Sequence, residues 1–161
     1  ATRLERRPAA KGPRDTSREE LVDGSSYEGH DLALRVARDA DIPGADAVTR
    51  LSSVIGRFAG WQAEHHRRAR VIQYELNALD RDHYRIITGL RRQTTQVVRD
   101  VVDAGLESGE FTVPDAEGVT LALMSLCVDI CRWYPSGRYS EPEAISTLYA
   151  DLALRLVGAV R

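Results

Sequence analysis

Apolar residues recur every three or four positions along most of the chain and almost never alternate with polar ones. This spacing predicts an all-α fold of four or five helices without strands. We expect a short first helical segment to end at residues 24–26, where Gly-Ser-Ser interrupts the pattern, and a second helix to run from Tyr27 to Ala40. A third helical stretch starts near Ala45, and its pattern continues to Leu79 with a break around residues 64–66.

The remaining helices have recognisable start signals. The longest is predicted over residues 80–106, where a stripe of apolar residues follows helical spacing. Asp115 is expected to cap a helix that reaches Trp133 or the residue after it. Ser140 with Glu143 forms a capping-box pattern for the last helix.

The last two predicted helices are unusually apolar. Residues 119–128 read VTLALMSLCV, and the final helix combines a stripe from Ile145 to Val160 with further alanines and leucines. A helix that is apolar on most of its circumference must be buried on more than one side. In a chain this short a partner subunit can supply the second contact, and the alternative is the centre of a monomeric helical bundle.

Length and composition indicate one domain with its own core. The chain has 161 residues, of which 43% are hydrophobic, and a formal net charge of −2. No apolar run approaches the ~20 residues that span a bilayer, which predicts no membrane association. Residues 1–18 lack the apolar region of a secretory signal, and we expect a cytoplasmic protein.

The charge is unevenly distributed. Residues 1–18 carry a net charge of +4, which leaves −6 for the rest of the chain. A basic arm on an acidic body is compatible with contact to a polyanion, and equally with a solvated leader. The candidate polyanion contacts in this arm are Arg3, Arg6, Arg7 and Arg14.

Catalytic and metal-binding patterns are missing from the sequence. His65 and His66 are neighbours, so on a helix they point about 100° apart and cannot easily share an ion. Cys127 and Cys131 lie four residues apart on an apolar helix, where free cysteine behaves as a small hydrophobe. No phosphate-binding loop or nucleophile motif occurs. We therefore expect no metal, no cofactor and no enzymatic activity.

A small-molecule pocket is the remaining possibility. Bulky or soft side chains on different helices, with a few polar groups between them, suit a mostly apolar cavity, although ordinary core packing explains each residue singly. Two guanidinium groups and an indole after residue 131 could hold a phosphate and stack on a ring, or could serve a dimer rim. The candidate ligand-binding residues are Phe58, Trp61, Leu90, Thr94, Met124, Cys127, Arg132, Trp133 and Arg138.

The order of several segments resembles a known family. The run AEHHRRARVIQYEL at 63–76 is followed by Leu-Arg-Arg at 90–92, by VVDAG at 101–105, by Arg-Trp-Tyr at 132–134 and by YADLAL at 149–154. Together they resemble the C-terminal, ligand-binding half of TetR-family transcriptional repressors, especially the actinobacterial branch that controls sterol and fatty-acid breakdown. The resemblance covers about Glu28 to Val160.

The resemblance implies a homodimer of nine-helix chains whose last two helices form a four-helix bundle with the partner. The first three helices of the family form a helix-turn-helix head. Here residues 18–23 resemble the first of these, and Tyr27 follows almost directly as the start of the fourth, so most of the head is missing. We expect residues 1–26 to be an arm and head remnant and 27–161 the ligand-binding and dimerisation domain. The expected interface residues are Leu121, Val128, Leu148, Leu152 and Leu156.

Two functional hypotheses follow. The first is a ligand-responsive repressor that contacts operator DNA through the missing head and senses a hydrophobic acyl or sterol-derived metabolite, including its CoA thioester. The alternative is a headless helical homodimer that binds a ligand or a protein but not DNA. An extra helix-turn-helix block after Asp23 in the intact polypeptide would distinguish the first from the second.

Overall fold

A computed structural model describes the backbone of residues 16–75 and 79–159, and the side chains of 26–74 and 79–159. Within these ranges the chain is helical, and the only bridge between extended residues joins Ser136 to Tyr139. The predicted all-α fold is confirmed. The six helices are α1 (Thr16–Ala40), α2 (Ala47–Glu64), α3 (His66–Glu75), α4 (Arg81–Ser108), α5 (Ala116–Trp133) and α6 (Pro142–Leu156).

The first helix differs from the sequence prediction. The expected stop at residues 24–26 and restart at Tyr27 are wrong, because α1 continues without interruption through this segment. Glycine inside a helix costs only about 1 kcal/mol relative to alanine, and tertiary packing readily outweighs that cost. Ser26 is buried, and Ala33 and Ala37 further along α1 are buried in the main core. The proposed domain boundary after residue 26 therefore falls inside a continuous helix.

The predicted break between the next two helices is confirmed. His65 separates α2 from α3, and its backbone N–H still donates to the carbonyl of Trp61. Asp46 caps the start of α2 by accepting a hydrogen bond from the backbone N–H of Thr49 at 2.6 Å. This cap satisfies one of the donors that every helix start leaves open.

The predicted ends of α4 and α5 are close to those observed. Asp80 caps α4, and Gly109 ends it in the left-handed conformation with φ of 78°. Asp115 caps α5 through the N–H of Gly118 at 3.0 Å. The capping box predicted at Ser140 is wrong, because the helix begins one residue later, after Glu141, which makes no side-chain cap. Pro142 in the first turn supplies helix-compatible geometry instead.

The main core surrounds α2. Leu51, Val54 and Ile55 are fully buried on this helix, and Ile145 and Ala153 of α6 are equally buried in the same cluster. A smaller cluster lies apart from it, between α1 and α4. It consists of Leu34, Ile87 and Leu90.

Several sequence predictions concern residues outside the described ranges. The arm residues Arg3, Arg6, Arg7 and Arg14 lie there, as does Val160. Within the described part of the chain, no helix is long and apolar enough to cross a membrane. The same residues contain no group of three or more histidine, cysteine, aspartate or glutamate side chains that could hold a metal ion.

Candidate functional site

A cavity of about 610 Å³ lies among helices α1 to α5. Its apolar lining includes Ala33, Phe58, Trp61 and Met124, which lie on three different helices. The rings of Phe58 and Trp61 stack with centroids 6.3 Å apart. A volume of this size lies within the range of small-molecule sites, which are mostly apolar with a few polar groups.

Three arginines border the cavity: Arg70 of α3, Arg91 of α4 and Arg132 of α5, which we call the cationic rim. The Nε of Arg132 lies 2.9 Å from a carboxylate oxygen of Asp129, the acidic residue that also borders the cavity. Arg70 donates from Nε to the carbonyl of Cys131 at 2.9 Å and so ties α3 to the end of α5. The rim therefore has an excess of positive charge, which favours an anionic group on any ligand.

Two buried polar side chains form another part of the lining, and we call them the polar wall: His30 of α1 and Gln62 of α2. Burial, with a smaller contribution from the charge of Arg91, lowers the pKa of His30 to about 4. The imidazole is therefore neutral at physiological pH. Thr94 also lines the cavity, but its hydroxyl already donates to the carbonyl of Leu90 at 3.0 Å.

The structure brings together part of the predicted ligand-binding set. These residues line the cavity from α2, α4 and α5: Phe58, Trp61, Thr94, Met124 and Arg132. Their convergence from distant parts of the sequence produces one concave surface. Their role in binding stays a prediction.

The other predicted ligand-binding residues lie elsewhere. Leu90 is buried in the small cluster between α1 and α4, and Cys127 is fully buried in the main core, where burial raises its thiol pKa to about 12. Trp133 packs edge-on against the rings of Tyr134 and Tyr139. Arg138 donates to the hydroxyl of Tyr139 at 2.8 Å and covers its ring.

The predicted interface residues divide into two groups. Leu121 and Val128 of α5 border the cavity. On α6, Leu152 is 37% and Leu156 is 42% exposed, and Leu148 is half-buried. Exposed leucines on adjacent turns form an apolar surface that a partner could cover.

The residues that border the cavity but that sequence reasoning missed include His30, Gln62, Arg70 and Arg91. For Gln62 a signal existed, because it follows Phe58 by one helical turn on the apolar face of α2. For the two arginines no signal existed, since the chain contains many arginines on exposed helix faces. Their position at the rim depends on how α3 and α4 pack against α5.

Comparison with known proteins decides the family. A family model described as "Tetracyclin repressor-like, C-terminal domain" matches residues 44–157. A solved regulatory protein of the tetR family from Rhodococcus RHA1 is 40% identical, covers 89% of this chain and 76% of its own, and superposes with a TM-score of 0.86. The chain belongs to the TetR family.

Two more distant TetR structures share the fold. The regulator PfmR from Thermus thermophilus is 22% identical, with a TM-score of 0.79, over 87% of this chain and 76% of its own. The ketosteroid transcriptional regulator KstR2 of Mycobacterium tuberculosis is also 22% identical, with a TM-score of 0.77, over 91% of this chain and 75% of its own. No curated protein gives a significant match to the chain.

Membership of the TetR family confirms the resemblance seen in the sequence. It also confirms the predicted TetR-like helical fold and the prediction that the protein is not an enzyme, because members of the family are transcription regulators. Most of the cavity lining accordingly lies within residues 44–157, which the family model describes as the C-terminal domain, while Gly29, His30 and Ala33 of α1 precede this range.

Proposed function

We propose that the chain is the effector-sensing body of a transcriptional repressor, and that its cavity binds a hydrophobic acyl or sterol-derived metabolite, including a CoA thioester. The single observation that carries this proposal is the cavity itself. Apolar side chains such as Phe58 and Met124 line its interior, and the cationic rim borders it. The ligand's hydrocarbon part would lie in the interior, with its anionic end at the rim.

The steroid alternative has support from one relative. KstR2 is named as a ketosteroid transcriptional regulator, and its fold superposes on this chain. At 22% identity that likeness concerns the fold, so acyl and steroid ligands stay equal candidates here. Acyl and steroid ligands both combine a large apolar body with a polar or anionic part, which suits a cavity with an apolar lining and a few polar groups.

Homodimerisation is the second element of the proposal. The exposed Leu126 of α5 and the exposed Leu152 and Leu156 of α6 supply apolar area that a second copy would bury. Changing Leu152 to Glu should convert a dimer to monomer or to insoluble protein, because the interface would then bury an unpaired charge. Analytical ultracentrifugation measures the result, and a soluble dimer of this variant would exclude Leu152 from the interface.

Operator binding is the third element, and it involves residues outside the described ranges. We propose that a helix-turn-helix head contacts DNA, with the basic arm reaching phosphates. Alanine at Arg3, Arg6, Arg7 and Arg14 together should weaken operator binding and flatten its salt dependence. An unchanged salt slope would remove the arm from the mechanism.

A headless module that binds a ligand but not DNA is the second candidate. It is favoured by α1, which runs as one helix from Thr16 to Ala40, so that no helix-turn-helix pair lies in this segment. The intact mass of the polypeptide made in its own cell separates the two candidates. Extra mass that corresponds to a head supports the repressor, and a mass near 17.9 kDa supports the module.

Ligand binding is tested by calorimetric titration with dodecanoyl-CoA, with free CoA as the reference. Ser125 is an exposed residue of α5 that borders the cavity, so Ser125→Phe should block the cavity and weaken dodecanoyl-CoA binding at least about tenfold. The control is Gln96→Phe, which introduces the same side chain at an exposed position of α4 outside the cavity. Equal binding to the wild type and Ser125→Phe would overturn the proposal.

A second variant tests the position of the anionic end. Arg132→Ala should weaken binding of dodecanoyl-CoA and leave binding of 1-dodecanol unchanged, because only the former carries phosphates for the rim. An equal effect on both probes would show that Arg132 does not recognise the charge.

A further inference from the structure

The polar wall contains two buried atoms without hydrogen-bond partners. His30 is 9% and Gln62 is 5% exposed, and neither the Nε2 of His30 nor the Oε1 of Gln62 has a partner among the described residues. Leaving a buried polar atom unsatisfied is costly, and such atoms are rare in folded proteins. Two of them in the lining of one cavity therefore call for an explanation.

Three other polar side chains around the cavity have partners within the protein. The hydroxyl of Thr94 donates to the carbonyl of Leu90, and that of Thr95 donates to the carbonyl of Arg91, each at 3.0 Å. Arg132 pairs with Asp129. Among the cavity-lining residues, the unpartnered buried atoms therefore belong to the wall formed by α1 and α2, and a further buried hydroxyl without a partner, that of Ser26, lies outside the lining.

The chemistry of the two atoms limits what can satisfy them. The Oε1 of Gln62 only accepts, so its partner must donate a hydrogen bond. An ionised carboxylate or an ether offers no donor, and an ammonium group would be repelled by the three arginines of the rim. Among neutral donors a hydroxyl fits the pair of atoms best, since it donates to Gln62 and keeps lone pairs for a contact with His30, whereas an amide N–H can only donate.

We infer that Gln62 and His30 are specificity-determining residues that select an apolar ligand bearing a neutral hydroxyl group. The hydroxyl donates to the Oε1 of Gln62, and the neutral imidazole of His30 donates from its Nε2 to a lone pair of the same hydroxyl. The hydrocarbon part of the ligand contacts Phe58 and Met124. This inference rests on the proposed function, because it assigns a ligand group to the same cavity.

A first test uses the stability of the ligand-free protein. Gln62→Met removes an unsatisfied buried acceptor while roughly keeping the volume, so the melting temperature should rise by about 2–4 °C. A purely structural role of Gln62 predicts a lower melting temperature instead. Thr120→Val is the matched control, because the buried hydroxyl of Thr120 lies outside the cavity and is already bonded to the carbonyl of Ala116 at 2.7 Å. This control should show no gain in stability.

A second test uses two isomeric probes, 1-dodecanol and methyl undecyl ether. They share size and apolar area, but only the alcohol donates a hydrogen bond. Calorimetric titration of the full chain should give about tenfold tighter binding of the alcohol to the wild type. The preference should disappear in Gln62→Met, weaken in His30→Leu and persist in Thr120→Val.

The outcomes separate this inference from the proposed function. Equal affinity of the wild type for both probes, or an alcohol preference that survives in Gln62→Met, overturns the inference and leaves the apolar cavity in place. A failure of both probes to bind up to their solubility limits overturns the inference, and the proposed function is overturned with it only if dodecanoyl-CoA also fails to bind.

Discussion

The two halves of helix α2 have different surroundings. In its first half, Leu51, Val54 and Ile55 are fully buried among apolar neighbours of the main core. In its second half, Trp61 and Gln62 line the cavity, and Gln62 carries a buried acceptor without a partner. The same helix thus has fully buried apolar side chains near one end and a buried hydrogen-bond acceptor without a partner near the other. We expect the large side chains of the first half to contribute most to stability, and we propose ligand recognition for the second half.

The largest expected effect on stability comes from a substitution in the first half of α2. Leu51→Ala should lower the free energy of unfolding by about 2–5 kcal/mol, because it removes buried methyl groups and leaves a cavity in a fully buried site. Denaturant unfolding measures the loss. The control is Tyr84→Ala at an exposed position of α4, which should change the free energy by less than about 0.5 kcal/mol. A loss below about 1 kcal/mol at Leu51 would contradict the division of α2.

An intermediate effect is expected from protonation at the polar wall. Burial, with a smaller contribution from Arg91, lowers the pKa of His30 from 6.5 to about 4 in the folded chain. Between these values the unfolded chain binds the proton and the folded chain does not. Stability is therefore complete above pH 6.5 and falls as the pH drops toward 4, by up to about 1.4 kcal/mol per pH unit.

The contribution of His30 is isolated by comparison with His30→Gln, which cannot titrate. The difference in unfolding free energy between the wild type and this variant should change by about 2–3 kcal/mol from pH 7 to pH 4. Denaturant unfolding at each pH measures it. A constant difference across this range would mean that His30 titrates normally and that the wall is not buried as described.

The smallest effect concerns helix ends away from both halves of α2. Asp115→Ala removes a side chain that accepts from the N–H of Gly118, and it should destabilise the protein by about 1 kcal/mol. Ser140→Ala should stay within about 0.5 kcal/mol, because the structure does not use Ser140 as a cap. Thermal unfolding of both variants checks the contrast, and equal losses would restore the capping box that the sequence predicted.

Much of the fold followed from periodicity. The spacing of apolar residues predicted α2 and α4 well, because their buried faces decide their conformation locally. The continuity of α1 could not be predicted, because packing of this helix outweighs the weak helix preference of residues 24–26. The local sequence pattern does not show that packing against other helices will outweigh a weak helix preference.

The candidate site was partly predictable for the same reason. Phe58 and Met124 stood out as large apolar residues on separate helices, and both line the cavity. Trp133 follows Arg132 directly in sequence, but a helix turns by about 100° per residue, so the two side chains point in different directions. The unpartnered state of His30 and Gln62 depends on neighbours from other helices, which no spacing in the sequence indicates.

A crystal structure of the chain with bound 1-dodecanol tests the central claim most directly. The account predicts that the alkyl chain contacts Phe58 and Met124 and that its hydroxyl lies within hydrogen-bond distance of the Oε1 of Gln62. A ligand bound instead in the shallow groove between α2 and α6, beside Gly56 and Ser146, would contradict it.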